Sequence, residues 1–279
     1  MTTVTTGNVS DHLLRGLAPI PTTAWKEIDD EARERLTPLL AARRLADWVG
    51  PGGWTHSSAS LGRTTALDGP PPGVSVEGVV TRQRRVLPLA EFRVPFTVDR
   101  REIDDVQRGA ADPEFDDLAR AARQAAEIEN RAVFHGWPEA GIEGIAAVSP
   151  YPSVELGTDC QQYPGIVARA VDTLRRNGIE GPYALVIAPS GYTRIVESTE
   201  HGGYLLFDHL KRILGGSIVW APGVDGAVVV SQRGGDFLLD VGQDLSIGYS
   251  HHDADTVHLY LEESFTFRVV EPDAAVALS

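Results

Sequence analysis

The strongest periodicity in the chain lies over residues 114–133. Phe115, Leu118, Ala122, Ala125 and Ala126 recur there at three- and four-residue steps and predict a helix about six turns long. Asp112 and Pro113 supply an N-cap and a first-turn proline, and Gly136 and Pro138 supply the stop. A second helix is predicted over 22–36, where Trp25, Ile28, Ala32 and Leu36 share one face, Thr22 or Thr23 caps the start and acidic residues fill the early turns. Pro38 interrupts it. With Thr37 as cap, the run "LLAARRLADW" predicts a further short helix.

Other stretches switch to a period of two. Phe92, Val94, Phe96 and Val98 alternate with polar neighbours and predict a strand that tolerates Pro95. Upstream, residues 50–89 are rich in breakers ("GPGGWTHSS", "DGPPPGVS") and carry few large apolar side chains, so the β-favouring run "SVEGVVTRQRRVLPL" predicts a long hairpin that projects from the body. Over 141–230 amphipathic and buried runs alternate: "GIVARAVDTLRRNGI" and "LLFDHLKRIL" as helices, "YALVIAP", "SIVWAP" and "AVVVSQ" as strands. That alternation marks an α+β or α/β module, and antiparallel strands from Leu245 through Val270 then close a chain read as α+β.

Composition narrows the function. The 279 residues are 42% hydrophobic, enough for a real core, and the formal charge of -14 excludes a general phosphate-binding surface and with it a nucleic-acid partner of that kind. The single cysteine, Cys160, cannot form an internal disulfide. "MTTVTTGNVSDHLLRGLAPIP" lacks the features of a secretory signal, and no apolar run reaches the length of a membrane span. The expectation is a cytoplasmic protein without a membrane partner.

Candidate chemistry is sparse. His251, His252, Asp253, Asp255 and His258 form the densest set of metal-ligand types, but their spacing matches no zinc pattern and "SHHDAD" reads as a polar turn between strands. Glu127, Glu129 and His135 invite a di-iron reading that fails for want of a Glu-x-x-His pair on each of two helices, so they are expected as solvated or interface charge. Cys160 carries no nucleophile signature and reads as a loop thiol. Neither G-x-S-x-G, a P-loop nor G-x-G-x-x-G occurs, and the Gly-Gly pairs at 202–203, 215–216 and 234–235 read as turns. No catalytic residue, metal or cofactor is expected.

The blocks "LAPIPTTAWKEIDDEARERL", "GPGGW", "LPLAEFRVPFTVD", "GIEGPYALVI", "QRGGDFLLDVGQDLSIGY" and "EESFTFRVVEP" occur in this order along nearly the whole chain, and together they resemble the encapsulins, the bacterial linocin- or bacteriocin-like nanocompartment shell proteins. The resemblance implies the tailed-phage major capsid protein fold, of the bacteriophage Hong Kong 97 type. It divides the chain into an N-terminal helical arm (1–49), an extended loop (50–89), a peripheral domain with a spine helix (90–140), an axial domain (141–230) and C-terminal strands returning to the peripheral domain (231–279).

By the same resemblance the chain is a shell subunit of an icosahedral compartment, about 60 identical copies in the smallest case. The cargo is an enzyme, a dye-decolourising peroxidase or a ferritin-like protein, captured by a C-terminal targeting peptide. The positions matching the family's peptide groove are Leu40, Arg43 and Asp47 on the helix side and Leu245 and Ile247 on the strand side. Glu200, His201, Gly202, Gly203 and Tyr204 match the loop that lines the fivefold pore. Some relatives hold flavin through a tryptophan where this chain has Arg101, so flavin is not expected. The competing readings are a phage capsid protein and a secreted bacteriocin or protease; the last lacks both a signal and an ordered Ser/His/Asp set.

Overall fold

The structure, a computed structural model, describes residues 11–199 and 203–279. Two short 3-10 turns, Asp11–Leu13 and Arg15–Leu17, lead into helix α1 (Thr22–Leu36). Its buried stripe is Ala24, Ile28, Ala32 and Leu36. Ile28, Ala32 and Leu36 are as the spacing predicts, but Ala24 takes the place expected for Trp25, which is half-buried beneath Arg15, and Pro21 holds the N-cap position with no side chain capping the helix. The threonines lie inside it.

The short helix expected after Pro38 does not form. The chain makes one 3-10 turn, Ala42–Arg44, and then strand β1 (Asp47–Val49). The reason is a tertiary competitor: the Asn130 side chain accepts from the Ala42 amide at 3.0 Å and donates to the Leu39 carbonyl at 2.8 Å, taking backbone groups a helix would use internally.

Strands β2 (Ser58–Ala66) and β3 (Arg82–Pro88) pair antiparallel in the projecting hairpin, and most of their side chains are exposed, though Ala59 is buried. β4 (Ala90–Asp99) buries Phe92, Val94, Phe96 and Val98. Pro95 is accommodated because β4 pairs only with β10 and so lies at the sheet's edge.

A helix the periodicity did not predict follows directly. In α2 (Arg100–Arg108), Asp99 caps the start by accepting from the Arg101 amide, and Gly109 ends it in the left-handed region. The long helix α3 (Asp116–His135) therefore begins later than the Asp112–Pro113 signal indicates. Glu102 of α2 accepts from the Glu114 amide at 3.0 Å, which holds that segment outside α3. Asp117 in the first turn of α3 then accepts from both Thr97 N–H and Oγ1 and fastens the helix to β4. Ala121, Ala122, Ala125 and Ala126 are fully buried, and their small side chains let α1 and β4 approach α3 closely.

The chain continues through α4 (Ile145–Val148), α5 (Tyr163–Arg176), β5 (Tyr183–Ile187), α6 (Pro189–Glu197), α7 (Leu206–Leu214), β6 (Ile218–Trp220) and β7 (Ala227–Ser231). Every residue of β5 and β7 is buried, which matches their unbroken apolar runs. Then come β8 (Phe237–Val241), β9 (Ser246–His252), the long β10 (Thr256–Val269) and β11 (Ala275–Leu278).

Two sheets organise these elements. In the larger, β10 pairs with β4 along one side and with β9 and then β8 along the other, and β1 extends it parallel to β8. In the smaller, the order is β11-β7-β5-β6. The end of the chain thus departs from the expected return: β8–β10 rejoin β4, but β11 crosses to the smaller sheet and pairs with β7.

Candidate functional site

A groove of about 450 Å³ opens between α1 with its following segment and the β9–β10 sheet face. Ala32, Leu36 and Leu40 form one wall and Leu245, Ile247 and Leu261 the other. Ile247 and Leu261 sit opposite each other in the β9–β10 register, so strand alternation sends both to the same face. Charged groups border the opening: Arg15, Asp29, Arg33, Asp244 and, deepest, Arg43. Arg15 makes a bidentate pair with Asp29 at 3.0 and 2.7 Å and lies over the Trp25 ring.

Four of the five expected groove positions, Leu40, Arg43, Leu245 and Ile247, therefore converge. Leu40 and Ile247 also belong to the hydrophobic core. Asp47 does not join them. It stands in β1, where its carboxylate accepts from the Gly235 amide. Gly234 and Gly235 both take positive φ, +85° and +83°, so this carboxylate pins a turn that side-chain-bearing residues resist. That is a structural reason for the "RGGDF" block.

Arg43 is the centre of a network that sequence reasoning missed. Its Nε donates to Glu129 at 2.7 Å, Nη1 to Asp244 at 2.8 Å and Nη2 to Glu263 at 2.7 Å, while its guanidinium lies 4.6 Å from the Trp48 ring centroid. The whole fork faces protein carboxylates, so Arg43 shapes the groove and is not an open cation at its surface. Burial works against its charge, but Glu129, Glu263 and Asp244 outweigh that and hold it protonated well above its ordinary range. Glu129 and Glu263 are fully buried, and burial raises both carboxyls above the usual range.

Glu129 thus overturns the expectation of solvated or interface charge. A signal was present: Ala122, Ala125 or Ala126, Glu129 and Val133 lie at three- and four-residue steps, which places Glu129 on the buried stripe. His135 is also engaged, accepting from the Asp225 amide at 2.9 Å through Nε2; burial lowers its pKa, in keeping with a neutral ring. Glu127 lies half-buried on the same helix.

The adjacent Glu262 faces the opposite side of β10, as strand geometry demands. It accepts from Arg93 Nε at 2.6 Å and pairs with His12 at 2.9 Å, and His12 stacks on Trp54 with centroids 3.8 Å apart. One acidic dipeptide therefore ties elements to both faces of the sheet.

Of the expected pore positions, Glu200, His201 and Gly202 lie outside the described residues. Gly203, with φ +82°, and Tyr204 sit in the loop between α6 and α7, and Tyr204 OH accepts from Arg212 at 2.8 Å. Cys160 is half-buried at the base of this loop, its Sγ 3.1 Å from Ser198 Oγ.

The histidine-rich segment is a turn. Asp253 Oδ1 accepts from the Asp255 and Thr256 amides, and these bonds lower its pKa; His251 and His258 stack 4.1 Å apart across the hairpin. Among the described residues no group of three or more His, Cys, Asp or Glu side chains is placed to hold a metal ion, and no helix is long and apolar enough to cross a membrane. Arg101 folds back on Asp99 and is almost fully exposed.

This architecture and sequence have known counterparts. The family described as encapsulating protein for peroxidase matches residues 10–266. The type 1 encapsulin shell protein of Rhodospirillum rubrum is 51% identical over 269 residues, 96% of each chain. That of Rhodococcus erythropolis is 42% identical, over 96% of this chain and 99% of its own. Among solved structures, a virus-like particle from Pyrococcus furiosus superposes with a TM-score of 0.62 at 16% identity, covering 91% of this chain and 99% of its own. A structure of Microbacterium phage Oxtober96 gives 0.55 at 11% identity over 88% and 91%. The fold is thus the tailed-phage capsid fold, and the chain belongs to the encapsulin shell-protein family.

Proposed function

We propose that this protein assembles into a closed icosahedral shell, of about 60 copies in the smallest arrangement, within the cytoplasm. There it encloses an enzyme carrying a C-terminal targeting peptide. The subunit has no catalytic role of its own in this reading; the chemistry belongs to the cargo, a peroxidase or a ferritin-like protein, with the family description favouring the peroxidase. Small substrates enter through pores bordered by the loop that contains Gly203 and Tyr204.

The observation that carries the cargo assignment is the groove. Leu36, Leu40, Leu245 and Ile247 offer a short apolar channel edged by charges that are already paired within the subunit. A short peptide must offset its own ordering cost by burying anchors, and such a channel provides that without requiring new ion pairs.

Two measurements test the reading. Negative-stain electron microscopy of the protein expressed alone should show uniform hollow particles; discrete small oligomers would refute shell formation. Co-expression with a fluorescent protein fused to a peroxidase's C-terminal segment should then give co-purifying particles. Leu245→Asp should abolish that loading and leave the particles intact, whereas loading equal to wild type would remove the groove from the assignment.

A further inference from the structure

Glu129 on α3 and Glu263 on β10 are both fully buried, and each gives Arg43 one carboxylate oxygen at 2.7 Å. Their remaining oxygens, Glu129 Oε1 and Glu263 Oε2, receive no donor from any surrounding backbone or side chain. The two carboxyl groups are neighbours, docked side by side on Nε and Nη2 of one guanidinium. Two carboxylate oxygens cannot bond to each other; one proton placed between them satisfies both.

The surrounding charges lead to the same count. From α3 come Glu129 and the neutral Asn130, from the segment after α1 comes Arg43, and from the β8–β9 turn comes Asp244, half-exposed and bonded to Arg43 Nη1. β10 adds Glu263; its neighbour Glu262 turns to the other face, where Arg93 of β4 and His12 of the N-terminal arm take it up. On the side of Glu263, β4 presents Ala90, Phe92 and Val94, none of them titratable. One cation thus meets two fully buried carboxyls and a third at the surface. With both buried groups ionised, the interior would hold an uncompensated negative charge, which is strongly unfavourable. With Glu263 protonated, Oε1 still accepts from Arg43, Oε2–H donates to Glu129 Oε1, and the buried part is neutral.

We propose that Glu129 and Glu263 share one proton at neutral pH, and that this proton is the catch by which Arg43 fastens residues 39–46, which bring Leu40 and Arg43 to the groove, to α3 and β10. Asn130 reinforces the same seam through the Ala42 amide and the Leu39 carbonyl. The consequence for cargo rests on the groove assignment above; the shared proton does not.

The direction of the pH effect follows from linkage. Burial, and then the charge of Glu129, hold Glu263 protonated well above the usual glutamate range. A carboxyl raised in the folded state contributes stability that is fully present below its ordinary range and is lost as pH rises through the raised value. Stability should therefore fall as pH rises from the ordinary glutamate range through that raised value, and the wall should loosen once the proton is lost.

Infrared spectra of the full-length protein labelled with 13C-glutamate test the proton directly. A protonated-carboxyl stretch should be present at neutral pH, disappear on raising the pH, and be absent from both Glu263→Gln and Glu129→Gln. Absence of the band in the wild type, or its persistence in both variants, would overturn the proposal. Because the amide of Glu263→Gln keeps both hydrogen bonds without titrating, its melting temperature should hold to a higher pH than that of the wild type. An alkaline limb identical to wild type would remove the catch. Should the tail-bearing fluorescent reporter fail to load at any pH while the band and the alkaline limb behave as expected, the cargo reading falls and the proton catch stands.

Discussion

The β2–β3 hairpin and the β4–β10 sheet are built from similar β-favouring residues yet occupy opposite extremes of self-sufficiency. In the sheet, Phe96, Val98, Leu259, Leu261, Phe265 and Phe267 are each at most 2% exposed. In the hairpin arm, Leu67, Val74, Val76, Val79, Val80 and Val86 all remain exposed, Val80 at 76%. A soluble domain does not ordinarily leave such a row of branched side chains in water, and a lone two-stranded ribbon is marginal. The difference teaches where this fold is incomplete: the sheet closes its core within one chain and the hairpin does not, and in the proposed shell another copy would supply the apolar surface it lacks.

The largest effect should come from breaking that second half of the comparison. Replacing Val76, Val79 and Val80 together by Ser should abolish particles in electron microscopy and size-exclusion chromatography, while circular dichroism retains the wild-type secondary structure. Particles indistinguishable from wild type would show that the hairpin's apolar row is not an assembly surface.

The same background should give an unassembled subunit in which the core can be measured. There, Arg43→Met strands two buried carboxyls and should cost about 3–5 kcal/mol in denaturant unfolding. Arg43→Lys should recover only part of the loss, because one ammonium nitrogen cannot stand at the three positions from which the guanidinium nitrogens reach Glu129, Asp244 and Glu263. If Arg43→Met unfolds like its parent, the sheet's independence rests on apolar packing alone.

How much of this was legible in the sequence depends on the kind of force. Elements held by their own periodicity were readable: the α1 stripe, the alternating β4, the unbroken β5 and β7, and the breaker-rich hairpin. Boundaries set by tertiary hydrogen bonds were not. Nothing local in "LLAARR" says that Asn130, 88 residues from Ala42, will take the amide that a helix needs. Likewise Glu102 delays the start of α3 past a well-formed Asp-Pro signal. For the groove, Leu40, Arg43, Leu245 and Ile247 came from family resemblance, and the fold brings them together. Asp47 was misplaced because a strand, not a helix, carries it to the Gly234–Gly235 turn. The partners of Arg43 were missed because charge on a helix was read as solvated; helical spacing alone would have put Glu129 inside.

The smallest effects should lie on the outer face of α1, where charge is as dense as in the Arg43 cluster but wet. Lys26 and Arg33 both reach Asp30 at 2.7 Å, and Arg35 reaches Glu31 at 2.7 Å. Their distances match those around Arg43, so geometry alone does not separate the two sets. Solvent does: the lysine and the two arginines of α1 are more than half exposed, whereas Arg43 is 18% exposed and two of its partners not at all. An exposed pair trades water contacts for a screened attraction and gives up the rotamer freedom of two long side chains, so little remains. Lys26→Ala and Arg35→Ala should each leave the melting temperature unchanged within error, in low salt and in high salt alike. A salt-sensitive drop in either variant would mean that this face is covered in the assembled shell, and its charges would then belong with the hairpin on the unfinished side of the subunit.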